Sequence, residues 1–438
     1  MTDRAARAVP FAELVRASAR IGFLSFGGPA GQIALMHREL VDERRWVAED
    51  DYLQALNLCT LLPGPEAQQL ATWIGWKLHG WRGGLVAGGL FVIPGALVML
   101  ALSMLYAFAA DLAWFAALFL GIKAAVLAII AQALLRIAGR ALRTPIQHAL
   151  AVAAFAALFL LDAPFPLVVL AALAIGAWAG ARRPAWLALK PAGSAGGGDP
   201  RPWTATAKAL AAWLAIWAAP MIAVLVFLGP DHVLWDVGVF FSQLAVVTFG
   251  GAYAVLAYMA QEAVSGFGWL GPGEMVDGLG LAETTPGPLI LVTQFVGSLA
   301  AFRAPEPFTP LLAGVLGAAL TTWVTFAPCF LWIFAFAPWM DRLQRSPALK
   351  GGLAAVTAAV VGVIANLALW FGLHVLFARV STLQTGPLRL QVPDWASFDW
   401  RAAVIAGVCA LLVFALRWSV VRTLLAAAAM GLVLSVTG

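Results

Sequence analysis

Two glutamates lie beside two copies of the same proline–glycine–proline motif in a strongly apolar chain. Glu66 directly follows Pro63-Gly64-Pro65, and two threonines separate Glu283 from Pro286-Gly287-Pro288. A carboxyl group at membrane depth is costly to keep charged, so such a group is suited to binding and releasing protons. We interpret Glu66 and Glu283 as proton-carrying candidates. For Glu66, a charge that caps the start of a helix is the alternative.

A third charged candidate, Lys123, lies near the middle of an apolar segment at 114–135. This depth favours an ammonium group that attracts an anion or pairs with a glutamate, over one that reaches to the membrane surface. Glu39 and Glu262 occupy matching positions at segment ends, where we expect them to be solvated.

Both proline–glycine–proline motifs should interrupt a helix. Proline lacks a backbone donor and disfavours helix in the residue before it, so each motif predicts two half-helices. Broken backbone at membrane depth is tolerated only where protein or water covers it. The half-helix after each break presents free N–H groups and a positive dipole end, which together form a cradle for an anion. The alternative is that these residues only kink and pack helices.

The breaks belong to a duplicated unit. Phe26-Gly27-Gly28-Pro29 and Phe249-Gly250-Gly251-Ala252 lie 223 positions apart, and the two proline–glycine–proline motifs have the same separation. After extra residues near Arg303 the offset becomes 234, which pairs Pro94 with Pro328. A duplicated pair of signatures favours a site between two repeats over simple packing.

The candidate anion-binding residues are the glycines and prolines of both signatures and the polar side chains beside them. They are Gly27, Gly28, Pro63, Gly64, Pro65, Gln69, Gly250, Gly251, Thr284, Thr285, Pro286, Gly287, Pro288 and Gln294. The sequence has no GxGxxG motif after a strand, no Walker A motif and no His/Cys cluster. We therefore expect no enzyme activity, no cofactor and no metal site.

The composition predicts an all-α, multi-spanning membrane protein. Hydrophobic residues make up 62% of the 438 residues and charged residues 11%, whereas a soluble chain has about 25% charged residues. In a membrane protein, a net charge of +5 reflects an excess of lysine and arginine in the loops on one side of the membrane, and it does not indicate nucleic-acid binding. Thirteen segments approach the length needed to span a bilayer: 17–36, 52–78, 83–110, 114–135, 146–161, 164–181, 205–228, 233–260, 274–302, 310–338, 351–375, 401–416 and 418–436.

Lysine and arginine set the expected orientation. If every segment crosses and the N-terminus is cytoplasmic, 19 of these residues lie on the cytoplasmic side and 7 on the other. The exception is a group of three arginines between His37 and Asp51, on the other side. The two glycine signatures are seven segments apart, so the halves should have inverted topology. We expect an N-terminal repeat at 1–181, a cytoplasmic linker at 182–204 and an inverted C-terminal repeat at 205–438.

The motifs resemble those of the chromate ion transporter family, in its long form with two fused halves. The resemblance rests on Leu62–Ala67, Gln69–Ala71, Ala282–Pro288, Thr293–Gly297 and both glycine signatures, and it covers nearly the whole chain. The second signature departs from the first, with Ala252 where Pro29 stands. The resemblance implies a carrier in the bacterial inner membrane that exports chromate and is coupled to protons. Sulfate has the same charge and shape, so the sequence does not decide between chromate and sulfate as the substrate. It also leaves open whether the protein is a carrier or a channel, and whether it is a monomer or a homodimer.

Overall fold

The computed structural model describes residues 9–26, 28–110, 112–189, 203–249, 252–386 and 388–436. In these residues the first half of the chain forms seven α-helices. They are α1 (Phe11–Leu24), α2 (Gly28–His37), α3 (Glu49–Cys59), α4 (Glu66–Ala109), α5 (Ala113–Ala141), α6 (Pro145–Leu161) and α7 (Phe165–Arg182).

The rest of the described chain adds ten helices and one two-stranded antiparallel sheet. They are α8 (Trp203–Phe227), α9 (Val233–Val247), α10 (Ala252–Gln261), α11 (Pro272–Thr284), α12 (Val292–Arg303), α13 (Pro310–Phe336), α14 (Met340–Arg345), α15 (Pro347–Leu376), β1 (Val380–Thr385), β2 (Leu388–Pro393), α16 (Trp400–Ala410) and α17 (Val420–Val436). Among the described residues, six helices are long and apolar enough to cross a membrane.

The longest helix, α4, is a hairpin of two arms. His79 and Gly80 leave the helical conformation, and Gly80 has a φ of +60°. A Cβ atom on Gly75 would overlap the carbonyl oxygen of Gly83, and a Cβ atom on Gly83 would overlap the carbonyl oxygen of Gly75. The backbones on the two sides of the turn are therefore in contact. The first arm (66–78) therefore lies antiparallel to the second arm (81–109).

The segments 17–36 and 52–78 fold back and do not cross the membrane. The side chains of Asp51, near the start of α3, and Lys77, near the end of the first arm of α4, form an ion pair of 2.5 Å. The residues 63–65, called the first tip, turn the chain between these two helices. Likewise Arg20 of α1 lies 3.4 Å from Glu39, which follows α2. Each segment is a re-entrant hairpin that enters and leaves at one face.

The second half repeats this arrangement. Glu274 of α11 pairs with Arg303 at the end of α12 at 2.5 Å, and residues 286–288, called the second tip, lie between these helices. The ring of Phe240 in α9 packs against that of Tyr258 in α10, with the ring centroids 5.6 Å apart, so segment 233–260 also folds back. The expectation that all thirteen segments cross is thus wrong for four of them, because the glycine and proline residues reverse the chain and do not merely kink it.

The two halves enter from opposite faces. We call the face at which α1 begins the first face. Asp162, between α6 and α7, contacts Gln261 and Arg389 at the opposite, second face. At the first face, Gly180 of α7 meets the carbonyl of Pro347. The hairpins of the first half therefore start from the first face and those of the second half from the second face, which is an inverted repeat.

Re-entrant hairpins also remove the exception in the charge count. With segments 17–36 and 52–78 folded back, Arg38, Arg44 and Arg45 move to the first face. The division of lysine and arginine changes from 19 against 7 to 22 against 4. The hairpins come in consecutive pairs, so no other basic residue changes side.

The centre of the bundle is formed by the second arm of α4 and by α13, which run antiparallel. A Cβ atom on Gly84 would lie 2.8 Å from the ring of Phe334, and one on Gly314 would lie 2.9 Å from the methyl group of Met104. These small residues let the two helices approach closely. The tips pack against this central pair.

Candidate functional site

Two reciprocal hydrogen bonds join the tips to the opposite halves. The Gly64 N–H donates to the Thr248 carbonyl at 2.8 Å, and the Gly287 N–H donates to the Ser25 carbonyl at 2.8 Å. Ser25 and Thr248 are themselves 223 positions apart, and each comes just before the glycine signature of its half. Each tip is therefore docked on the turn of the other half's first hairpin.

Two buried glutamines support the tips in different ways. Gln32 donates to the Gly287 carbonyl at 2.6 Å, so it joins the first half to the second tip. Gln69 donates to the Pro63 carbonyl at 2.6 Å and so supports the tip of its own half. The Oε1 atom of Gln69 is buried and has no hydrogen-bond partner among the described residues. Gln69 was predicted from the sequence, and Gln32 adds a second amide at this junction.

Glycine is required at the centre of both tips. Gly64 has a φ of +117° and Gly287 a φ of +92°, a region that residues with a Cβ atom rarely adopt. A Cβ atom on Gly64 would also lie 2.9 Å from Cys329 Sγ and 2.9 Å from Gln69 Nε2. On Gly287 its nearest neighbour would be Leu291 Cδ1 at 3.3 Å. The first tip is the more crowded.

Each tip packs beside a proline of the central helix pair. The second tip contacts Gly95, which follows Pro94. A Cβ atom on Gly95 would overlap the Pro286 carbonyl oxygen. The first tip touches Cys329, which follows Pro328. Gly95 and Cys329 match at the offset of 234, so the same contact is built with a different residue in each half.

Other predicted residues lie around these contacts. Thr284 and Thr285 both donate to the Leu281 carbonyl, at 2.8 and 2.7 Å. Gln294 links the halves, since it donates to the Ala96 carbonyl at 2.9 Å and accepts from Thr322 at 3.1 Å.

Of the two candidate proton carriers, Glu66 is half-buried at the first residue of α4, and Glu283 is buried near the end of α11. The two glutamates thus lie on opposite sides of their tips, one after the break and one before it. Gly28 begins α2 with a φ of +72°. Gly27, Gly250 and Gly251 lie outside the described residues.

Lys123 pairs with an acid that sequence reasoning missed. Its Nζ lies 3.2 Å from Asp277 Oδ2, and the Tyr106 hydroxyl donates to the same oxygen at 2.7 Å. Asp277 is only 3% exposed. The available signal was an acidic residue inside the apolar segment 274–302, which needs a buried cation as partner.

The prediction that Glu39 is solvated is wrong. Glu39 is 1% exposed and lies between Arg20 at 3.4 Å and Arg44 at 3.6 Å. It is buried because α2 folds back on α1 and does not continue away from it. Glu262, its counterpart, is half-buried.

Within the described residues, no group of three His, Cys, Asp or Glu side chains is arranged to hold a metal ion. Cys59, Cys329 and Cys409 are buried and free. The arrangement around the tips offers backbone amides and side-chain amides, which are donors suited to an oxyanion.

The family model for chromate transporters matches residues 12–177 and 235–432, and so includes both tips and all four hairpins. The chain belongs to the chromate transporter family. A chromate transport protein of Pseudomonas aeruginosa is 34% identical over 378 residues, covering 83% of this chain and 82% of that one. A chromate transport protein of Cupriavidus metallidurans is 29% identical over 353 residues, with 80% of each chain covered. An uncharacterized transporter of Methanocaldococcus jannaschii is 25% identical over 358 residues, covering 81% and 83%.

No solved structure matches this chain. The two regions matched by the chromate transporter family leave α8 outside both, and α8 lies between the halves with Thr206 as its one buried residue among those described. This member of the family therefore consists of two inverted sets of hairpins and crossing helices, with one additional peripheral helix.

Proposed function

We propose that this protein is a secondary transporter that exports chromate across the bacterial inner membrane, with the first face in the cytoplasm. The observation that carries the proposal is the reciprocal docking of the two tips between inverted halves. Inverted repeats with broken helices that meet at the centre are the architecture of alternating-access carriers. The excess of basic residues at the first face supports a cytoplasmic N-terminus.

The oxyanion would bind where the tips now hold each other. The amides of Gly64 and Gly287 donate to neutral carbonyl groups, and a doubly charged oxyanion would accept stronger, charge-assisted hydrogen bonds from the same donors. Binding would therefore release one half from the other. Gln69, Thr284, Thr285 and Gln294 supply further donors near the tips, with the remaining candidate glycines and prolines shaping the backbone.

The direction of transport follows from the charge of chromate. A membrane potential contributes about 2.3 kcal/mol per charge per 100 mV, so a dianion leaving a negative cytoplasm gains about 4.6 kcal/mol per 100 mV. Export can run on the potential alone, whereas uptake would need more than two protons to overcome it. Glu66 and Glu283 are the proposed proton carriers, and Lys123 is the proposed attracting charge. Both tip contacts form within one chain, so a monomer is sufficient for this mechanism.

Transport into inverted membrane vesicles tests the proposal. We expect uptake of radiolabelled chromate that saturates, shows counterflow and stops when ionophores collapse the potential. Non-saturating flux without counterflow would instead indicate an oxyanion channel. Radiolabelled sulfate in the same vesicles distinguishes a chromate carrier from a general oxyanion carrier. Chromate release from proteoliposomes that is no faster under an inside-negative potential would rule out electrogenic export.

A further inference from the structure

The arm that leads to the second tip contributes the acid of a buried charge cluster, whose other members come from the first half. Asp277 lies in α11 between the second face and the second tip. Its Oδ2 atom accepts from the Tyr106 hydroxyl at 2.7 Å and lies 3.2 Å from Lys123 Nζ. Its Oδ1 atom is buried and has no hydrogen-bond partner among the described residues. One carboxylate oxygen therefore has hydrogen-bonding partners and the other has none among the described residues. Burying an oxygen without a partner destabilises the charged form of the group at this depth.

The neighbouring groups leave Lys123 as the only nearby counter-ion in the described chain. Glu274 lies one turn earlier on α11, and it is neutralised by Arg303 of α12 at 2.5 Å. The remaining group that faces Asp277 is the Tyr106 hydroxyl of α4. The described parts of α15 and α17, which also pack on α11, place no ionisable side chain against it. The charge of Asp277 and that of Lys123 are thus balanced against each other.

This cluster joins Asp277 of the second half to Tyr106 and Lys123 of the first half, and the described chain has no equivalent of it beside the first tip. The offsets of 223 and 234 match Asp277 with Gln54, Tyr106 with Met340 and Lys123 with Thr357. None of the three counterparts is ionisable in the physiological range, yet the first half forms the same hairpin around its tip. The cluster is therefore not needed to build the hairpin, which points to a role in transport.

The two members of the pair differ in accessibility. The Lys123 side chain is 26% exposed, whereas that of Asp277 is 4% exposed. The ammonium group is therefore the more open member of the pair, and the carboxylate is covered. A carboxylate held in this way is a tethered anion that occupies the position an oxyanion would take.

Resting on the proposed function, we infer that Asp277 pairs with Lys123 in the empty transporter. A proton bound by Asp277 then frees Lys123 for the oxyanion as it passes between the second face and the tips. The proton adds to the carboxylate, whose Oδ1 atom has a free lone pair, and Asp277 becomes neutral. The ammonium group of Lys123 then lacks a counter-ion, which is unfavourable at this depth until an oxyanion replaces the carboxylate. Proton and oxyanion bind together, so Asp277 adds one proton to each dianion moved and lowers the net charge moved per chromate by one, whatever Glu66 and Glu283 contribute.

The ratio of charge moved to chromate moved in proteoliposomes tests this inference. Asp277→Asn mimics the protonated acid and carries no proton. We expect its ratio to exceed that of the unmodified protein by one charge per chromate. The control is Gln54→Asn at the matching position of the first half, which should keep the ratio of the unmodified protein. An equal ratio in the unmodified protein and Asp277→Asn would show that the pair is only structural and would overturn the inference.

A second variant covers the case in which Asp277→Asn does not fold. Tyr106→Phe keeps the ring but removes a hydrogen bond that stabilises the carboxylate. Because a hydrogen bond to a charged group is worth about one pH unit or more, the pH midpoint of chromate transport should rise by about one unit. An unchanged midpoint would contradict the inference.

A readout without chromate separates this inference from the proposed function. Infrared difference spectra between acid and alkaline pH should contain the carbonyl band of a protonated carboxyl group that disappears in Asp277→Asn and persists in Gln54→Asn. If the band behaves so and no chromate is transported, the proposed function fails while the protonation of Asp277 stands. If the band is unaffected by Asp277→Asn, Asp277 is not the proton carrier.

Discussion

The two halves of the chain build the same pair of re-entrant hairpins but surround them with different side chains. In the first half the tip is crowded, because Gly64 faces both Cys329 and Gln69. In the second half the tip has more room at Gly287 and lies against the backbone of α4 at Gly95. The reciprocal hydrogen bonds are the same length in both, 2.8 Å. The backbone therefore sets a symmetric centre, and the side chains make the two approaches to it unequal.

Charge shows the same contrast. The first half buries Glu39 between two arginines near the first face, whereas the second half buries Asp277 beside Lys123 below the second face. The first group has an excess positive charge and the second is neutral. An inverted repeat with identical charges would favour neither direction of transport. The difference between the halves is thus where a preferred direction can originate.

The largest expected effect comes from adding a methyl group at either tip. Gly64→Ala and Gly287→Ala force an alanine into a φ that costs about 1–3 kcal/mol, and only Gly64→Ala also meets Cys329 and Gln69. Both should abolish chromate resistance while the protein stays in the membrane, as measured by growth on chromate and by immunoblotting of membranes. Gly372→Ala is the control, because a Cβ atom there meets no other atom within 4 Å. Full resistance in both tip variants would refute the role of the tips.

The next effect tests the unequal packing of the tips. Gly95→Ala pushes a methyl group into the Pro286 carbonyl oxygen, and overpacking of this kind costs about 1–3 kcal/mol. We expect the transport rate in vesicles to fall about tenfold, since 1.4 kcal/mol corresponds to a factor of ten. Cys329→Ala at the matching position removes an atom and should reduce transport less.

A double variant sharpens this prediction. Cys329→Ala removes the sulfur that would lie 2.9 Å from a Cβ atom on Gly64, so it should partly restore transport in Gly64→Ala. It should give no such rescue in Gly287→Ala, whose neighbours are different. Equal rescue of both variants would mean that the two tips are packed alike.

The sequence predicts the centre of this protein better than the path of the chain around it. The offset of 223 pairs the two tips and pairs Ser25 with Thr248, which reveals the duplication. The odd number of segments between the two copies predicts that the halves are inverted. A proline–glycine–proline motif in an apolar run is equally compatible with a broken crossing helix and with a hairpin. The contacts that decide, such as Asp51 with Lys77, depend on the tertiary fold. The signal for a hairpin was the three arginines left on the unfavourable face.

Asp277 shows why part of the site could not be predicted. Its partner Lys123 is more than a hundred residues away, and only the packing of α11 against α5 brings them to 3.2 Å. Glu39 is a similar case, since its burial depends on the reversal of the chain between α1 and α2. Single charged residues near segment ends give no sequence signal that distinguishes a solvated group from a buried one.

A smaller effect should separate Glu39 from Glu262. Glu39→Gln leaves Arg20 and Arg44 without their common partner. Arg20 is 57% exposed, so solvent screens part of the loss, and we expect a cost of about 1–2 kcal/mol. Glu262→Gln, at the matching position, should cost less than about 0.5 kcal/mol. Thermal unfolding of the purified proteins in detergent measures both. Equal shifts in the unfolding temperature would mean that the ion pairs of Glu39 contribute no more to stability than Glu262 does.

The smallest effect concerns the ion pairs at the base of the second hairpin in each half. Glu274 accepts two contacts from Arg303 and one from the Gly271 N–H, whereas Asp51 has the one ion pair with Lys77. Because all four side chains are partly exposed, we expect about 1 kcal/mol for Glu274→Gln and less than about 0.5 kcal/mol for Asp51→Asn. Unfolding temperatures at low and high salt measure the difference, which should shrink as salt screens the charges. A larger loss of stability for Asp51→Asn would contradict this prediction. It would mean that the ion pair matters more for the tip-bearing hairpin of the first half than for that of the second half.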